Sequence, residues 1–195
     1  MKHGLLSIRM ESKLAPLMLL FCSIPYLTMR LYLWRDMHAS DKFASAPEPW
    51  VLATIAIFGG LVPAVGLWII FATLLRDRDH FRLPMLAMAY ASLILIFASG
   101  YAILQVSSIE PSFSAMPILW QKAEVATLAD HVRGLHVIFL DSLYLSVTTI
   151  TTVGFGDIAP LSPLAKVLAA LEGVVGIGFV GIALGHYFSV CIHRR

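Results

Sequence analysis

Four stretches of this chain are apolar for about twenty residues or more: Leu14–Trp34, Trp50–Leu75, Pro84–Val106 and Leu164–Ile192. A helix needs about 20 mostly apolar residues to cross the hydrocarbon of a bilayer. Hydrophobic residues make up 58% of the chain and charged residues 13%, against about 25% charge in a soluble domain. So little charge does not cover a water-facing surface, and four membrane-spanning helices are expected. A fifth stretch, Val137–Thr151, is apolar but shorter and ends in threonines. That length fits a segment that enters the membrane and turns back. The formal net charge of +2 gives no sign of a nucleic-acid partner.

The first run has a basic start, Lys2, Arg9 and Lys13. It continues to Trp34 with no small-residue cleavage site after it, so a retained helix is expected rather than a signal peptide. Lysine and arginine set orientation. The N-terminus, the loop with Arg76, Arg78 and Arg82, and the end with Arg194 and Arg195 fall on one side of a four-span chain. That side is expected to be cytoplasmic, with both termini inside and the re-entrant segment entering from outside. No span carries arginine at every third position, which argues against a voltage-sensing helix. Cys22 and Cys191 lie in apolar runs near opposite ends and suggest neither a disulfide framework nor a metal site. The loop from Ser107 to His136 reads as irregular over SSIEPSFSAMP. Val125, Leu128 and Val132 then fall at helical spacing, which predicts a short external helix of a turret.

Between the third and fourth runs, Thr148–Pro160 reads TTITTVGFGDIAP. Non-helical backbone at membrane depth is tolerated only where protein buries it or where it lines a water-filled cavity. Val137–Thr151 is expected to form a half-membrane helix whose C-terminal end, partly negative, favours a cation. Glycine visits positive φ at little steric cost, so alternating glycines aim successive carbonyls to one side. Rings of such oxygens can replace the hydration shell of a potassium ion. One strand supplies only part of each ring, so several copies must surround the axis.

The residues TTVGFGD resemble the selectivity filter of potassium channels. The order of outer helix, turret, pore helix, filter and inner helix over Pro84–Arg195 is similar to that family's pore module. The resemblance implies an all-α membrane protein with four transmembrane helices, one re-entrant pore helix and a filter, assembled as a homotetramer in the plasma membrane. Residues 1–83 would hold two helices of unknown role, and residues 84–195 the pore module. It implies that the carbonyls of Thr152, Val153, Gly154 and Phe155 coordinate K⁺, with the Thr152 hydroxyl completing the innermost site. Gly156 would let the strand turn out, and Asp157 would sit just outside. Tyr144 is the single aromatic where the family often has a pair, and it is placed to donate to Asp157. Thr148 stands where some bacterial members have a glutamate behind the filter.

In the inner helix, Gly176 matches the family's gating-hinge position, while close packing of glycine is an equal reading. Ile177, Val180, Leu184 and Phe188 share one helical stripe. A hydrophobic constriction at Leu184 or Phe188 would gate by dewetting. Glu172 is an intramembrane carboxylate and so a gating candidate. It is expected behind the filter, bonded to pore-helix hydroxyls such as Thr148 or Thr149, and open to protonation. His186 and His193 read as a basic anchor at the head groups, with proton sensing as the alternative.

The expected function is passive, K⁺-selective conduction, with permeant K⁺ in place of any cofactor and the lipid bilayer and other copies of the chain as partners. No cytoplasmic ligand-binding domain is expected after Arg195, and a separate regulatory subunit stays open. A less selective cation channel and a non-conducting subunit are the alternatives. No spaced cysteines, HExxH or serine–histidine arrangement suggests an enzyme.

Overall fold

The computed structural model describes residues 83–108, 110–119 and 128–193, with four isolated helical positions, Leu27, Arg30, Leu31 and Val65. Apart from those four, the first two apolar runs lie outside the described residues. The described part is all-helical: α1 (Leu83–Ser107), α2 (Leu128–Ile150) and α3 (Pro163–His193). Two of the three are long and apolar enough to cross a membrane, over Ala89–Ser107 in α1 and Pro163–Gly185 in α3.

The helix ends are written in short polar signals. The hydroxyls of Ser107 and Ser108 donate back to the Leu104 carbonyl at 3.2 and 2.8 Å and close the last turn of α1. Ser162 caps α3: its Oγ accepts from the Ala165 N–H at 3.2 Å, and Pro163 follows, where its missing N–H costs nothing. At 31 residues, α3 is about 46 Å long at 1.5 Å per residue, more than the bilayer core.

From Leu128 onward, the described end of the expected external helix and the half-membrane helix are one element, while 120–127 lie outside the described residues. α2 runs unbroken for 23 residues, because no proline interrupts it and its buried stripe continues through Leu135, Ile138, Ser142, Leu145, Ser146 and Ile150. That stripe faces the rest of the protomer. The opposite stripe, Val137, Leu140, Tyr144 and Val147, is apolar and exposed.

The core lies where all three helices and the loop after α1 meet. Tyr101, Phe113, Met116, Leu145 and Ala165 are buried together, with Ile158 and Leu168 packed at the edge. The rings of Tyr101 and Phe113 meet edge to face, 5.2 Å apart. The segment 107–117, expected as an irregular turret, thus contributes to the core. Its shape rests on Gln105, which is buried in α1. The Gln105 Oε1 accepts the Ser112 and Phe113 amides, both at 3.1 Å, and its Nε2 donates to the Met116 and Pro117 carbonyls at 3.4 and 3.1 Å. Both donors and both lone pairs of one side-chain amide are used.

Candidate functional site

The C-terminus of α2 generates the glycine-rich strand. The Val153 amide donates to the Thr148 carbonyl at 2.9 Å, and the Thr152 amide to Thr149 at 3.0 Å. These two bonds form a Schellman cap, in which the residue after the helix is left-handed and is usually glycine. Here that residue is Thr152, with φ of 60°. A β-branched residue in this region is an outlier, and it persists only where its surroundings hold it there. A further bond, Gly154 amide to Thr148 carbonyl at 3.1 Å, secures the next turn of the strand.

The left-handed residues then repeat at every second position. Thr152, Gly154 and Gly156 have φ of 60°, 50° and 79°. A Cβ built on Gly154 or Gly156 would meet nothing within 4 Å, so backbone conformation rather than space calls for glycine there. The amides of Thr152, Val153 and Gly154 are consumed by the helix end. Among the described residues, no backbone amide pairs with the carbonyls of Thr152, Val153, Gly154 or Phe155. Donors are drawn to one side and four carbonyl acceptors are left free, an arrangement suited to a dehydrated cation.

The strand is held at its outer end by two devices. The Phe155 ring lies nearly parallel to Tyr144, at 5° and 6.4 Å, and Asp157 lies near enough to act on the Tyr144 hydroxyl. After Asp157 the chain pairs with the Gln105-held loop. Phe113 and Pro160 form an antiparallel bridge. The Ser114 amide donates to the Ala159 carbonyl at 2.9 Å, and the Ala159 amide donates to the Ser114 Oγ at 2.8 Å. The Leu161 amide donates to the Ser112 carbonyl at 2.9 Å.

Behind the strand, α3 meets the end of α2. A Cβ on Gly176 would lie 2.6 Å from Ile150 Cγ1 and 2.9 Å from the Ile150 carbonyl oxygen. Glu172, one turn earlier, is fully buried. Its carboxyl is hydrogen-bonded to Tyr101 on α1 and Ser146 on α2.

Residues 118–193 match the family model described as ion channel. A stretch of 57 residues is 42% identical to two-pore potassium channel 5 of Arabidopsis thaliana, covering 28% of this chain and 14% of that protein. Over 67 residues the chain is 45% identical to two pore potassium channel b of Oryza sativa subsp. japonica, 34% of this chain and 19% of that one. It is 36% identical over 61 residues to the calcium-gated potassium channel TvoK of Thermoplasma volcanium, 29% and 18% of the two chains.

Residues 118–193 are thus similar to ion-channel segments, and the relatives named are potassium channels.

The chain spans less than a fifth of the length of each of these relatives. No solved structure matches. The relatives named are channels and not enzymes.

The channel segment brings the predicted residues to two places. Tyr144, Thr148 and Thr152–Asp157 sit together at the α2 end, with Thr148 acting through its main-chain carbonyl, since its hydroxyl turns back to the Leu145 carbonyl at 3.0 Å. Glu172 and Gly176 lie on the buried face of α3, and Leu184 is exposed on that helix. Phe188 falls in the last turns of α3, where only the backbone is described. Glu172 does bond a hydroxyl of α2, as expected, but it is Ser146 rather than Thr148 or Thr149, and Tyr101 of α1 reaches its other oxygen. Sequence reasoning missed Gln105, Tyr101 and Ser146. The one signal for Gln105 was a lone amide near the end of an otherwise apolar span.

Proposed function

We propose that the chain is one subunit of a potassium-selective channel, a homotetramer that conducts K⁺ passively through a filter of Thr152, Val153, Gly154 and Phe155 carbonyls. The observation that carries this reading is the alternation of left-handed residues at Thr152, Gly154 and Gly156 while the neighbouring amides are tied back to Thr148 and Thr149. Four copies would close the carbonyl rows into rings that replace the water of K⁺. The exposed apolar stripe of α2 and the exposed α3 residues Ile177, Val180 and Leu184 are the faces that neighbouring copies, lipid or the pore would cover. Residues 84–195 form the pore module in the cell membrane, with the two earlier apolar runs as further spans and both termini cytoplasmic. Gating falls to α3, with Leu184 and Phe188 as the dewetting constriction and Glu172 and Gly176 coupling the helix to the filter.

Flux from liposomes holding only this purified protein tests the reading. A potassium gradient should drive flux and a sodium gradient little. Equal flux with both ions would overturn the selectivity, and no flux from a confirmed tetramer at any pH would overturn conduction.

A further inference from the structure

The hydrogen-bond network around Glu172 has a proton count that only one charge state satisfies. Ser146 Oγ meets two acceptors, the Ile94 carbonyl oxygen of α1 at 2.9 Å and the Glu172 carboxyl. A serine hydroxyl has one proton, and a carbonyl oxygen has none. If Ser146 donates to Ile94, the proton between Ser146 and Glu172 must come from the carboxyl. On the other oxygen, Tyr101 donates to Glu172. With the acid protonated, each group donates once, in one direction: Tyr101 to Glu172, Glu172 to Ser146, Ser146 to Ile94. With the acid ionised, both hydroxyls must point at it, and the Ser146–Ile94 contact sets two lone pairs face to face.

The surroundings agree. Glu172 is 0% exposed in an apolar helix. The groups facing it are Tyr101 from α1 and Ser146 from α2, and among the described residues no cation is paired with it. A carboxylate taken out of water with no cation beside it is strongly disfavoured against the neutral acid.

We propose that Glu172 is a positioning residue of the filter, acting as a neutral carboxylic acid that locks α3 and α1 to the last turns of α2. Its grip on α2, through Ser146, lies two residues before Thr148, whose carbonyl holds the Val153 and Gly154 amides. The proposal rests on the channel reading for its consequence, but the protonation stands apart from it.

The test uses the full chain in liposomes at neutral pH, with glutamate side chains labelled with ¹³C at the carboxyl carbon. Infrared spectra should show the labelled carbonyl band of a protonated acid. The band should vanish in E172Q and move to higher wavenumber in Y101F, which removes a donor from the acid's carbonyl oxygen. The amide of E172Q keeps a carbonyl acceptor and a donor, with one N–H more than the neutral acid, so this variant should still assemble. Absence of the band, its persistence in E172Q, or failure of E172Q to assemble where the parent does would each overturn the proposal. A band that behaves as expected without flux from either protein would keep the acid neutral and sink the channel reading.

Discussion

Three residues show what single positions contribute. At Gly154, φ of 50° is open to glycine and strained for any residue with a Cβ, by about 1–2 kcal/mol. Gly154→Ala should therefore leave assembly intact, since a Cβ there meets nothing, and cut K⁺ flux by about five- to thirtyfold, the factor that such an energy implies. Unchanged flux would show that the left-handed conformation is not needed for conduction. Gly176 presents the opposite case. Its Cβ would press on the Ile150 carbonyl at 2.9 Å, so Gly176→Ala should destabilise the protein by about 1–3 kcal/mol, read as a lower melting temperature in detergent. A glycine needed only for bending would accept alanine without that loss. Thr152 bears a side chain where the cap favours glycine, and Ser146, Tyr101 and Glu172 brace the turn of helix just before it.

At the scale of elements, the loop 108–117 and the strand exit 158–162 behave as one clamp. Gln105 makes four hydrogen bonds to the loop's backbone, and the loop in turn bridges Pro160. Gln105→Leu keeps the bulk and leaves buried backbone groups unpaired, each at about 1–3 kcal/mol. The expected result is a lower melting temperature together with faster hydrogen exchange at the Ser114, Ala159 and Leu161 amides. Exchange unchanged at those three amides would show that the clamp does not depend on Gln105. The clamp also explains why the loop after α1 is buried. Phe113 leaves a polar segment, SSIEPSFSAMP, to enter the core against Tyr101.

At the scale of the whole molecule, the protomer leaves two apolar faces bare, the Val137–Val147 stripe of α2 and much of α3. Lipid covers apolar surface as readily as protein does, so helix association in a membrane rests on packing rather than on water exclusion. Placing a charge on the α2 stripe separates the alternatives. Val147→Asp should abolish the tetramer, seen as a monomer mass by native mass spectrometry in detergent, with helical content retained. A tetramer that survives this change would place the subunit interface elsewhere.

By itself the sequence determined the membrane class, the two long apolar helices α1 and α3 to within a residue, and the glycine alternation from which the candidate filter is read. These follow from local chemistry: apolar run length fits the bilayer, and glycine alternation permits left-handed backbone wherever it occurs. Three features were decided only by the tertiary structure. α2 is held along its length by a buried stripe from Leu135 to Ile150, and the 107–117 loop is core because Gln105 satisfies its backbone from another element. Glu172 bonds Ser146 and Tyr101 because of how three helices cross. Each depends on which distant groups meet, 26 and 71 residues apart in the case of Glu172, and nothing in the local run of residues encodes a crossing.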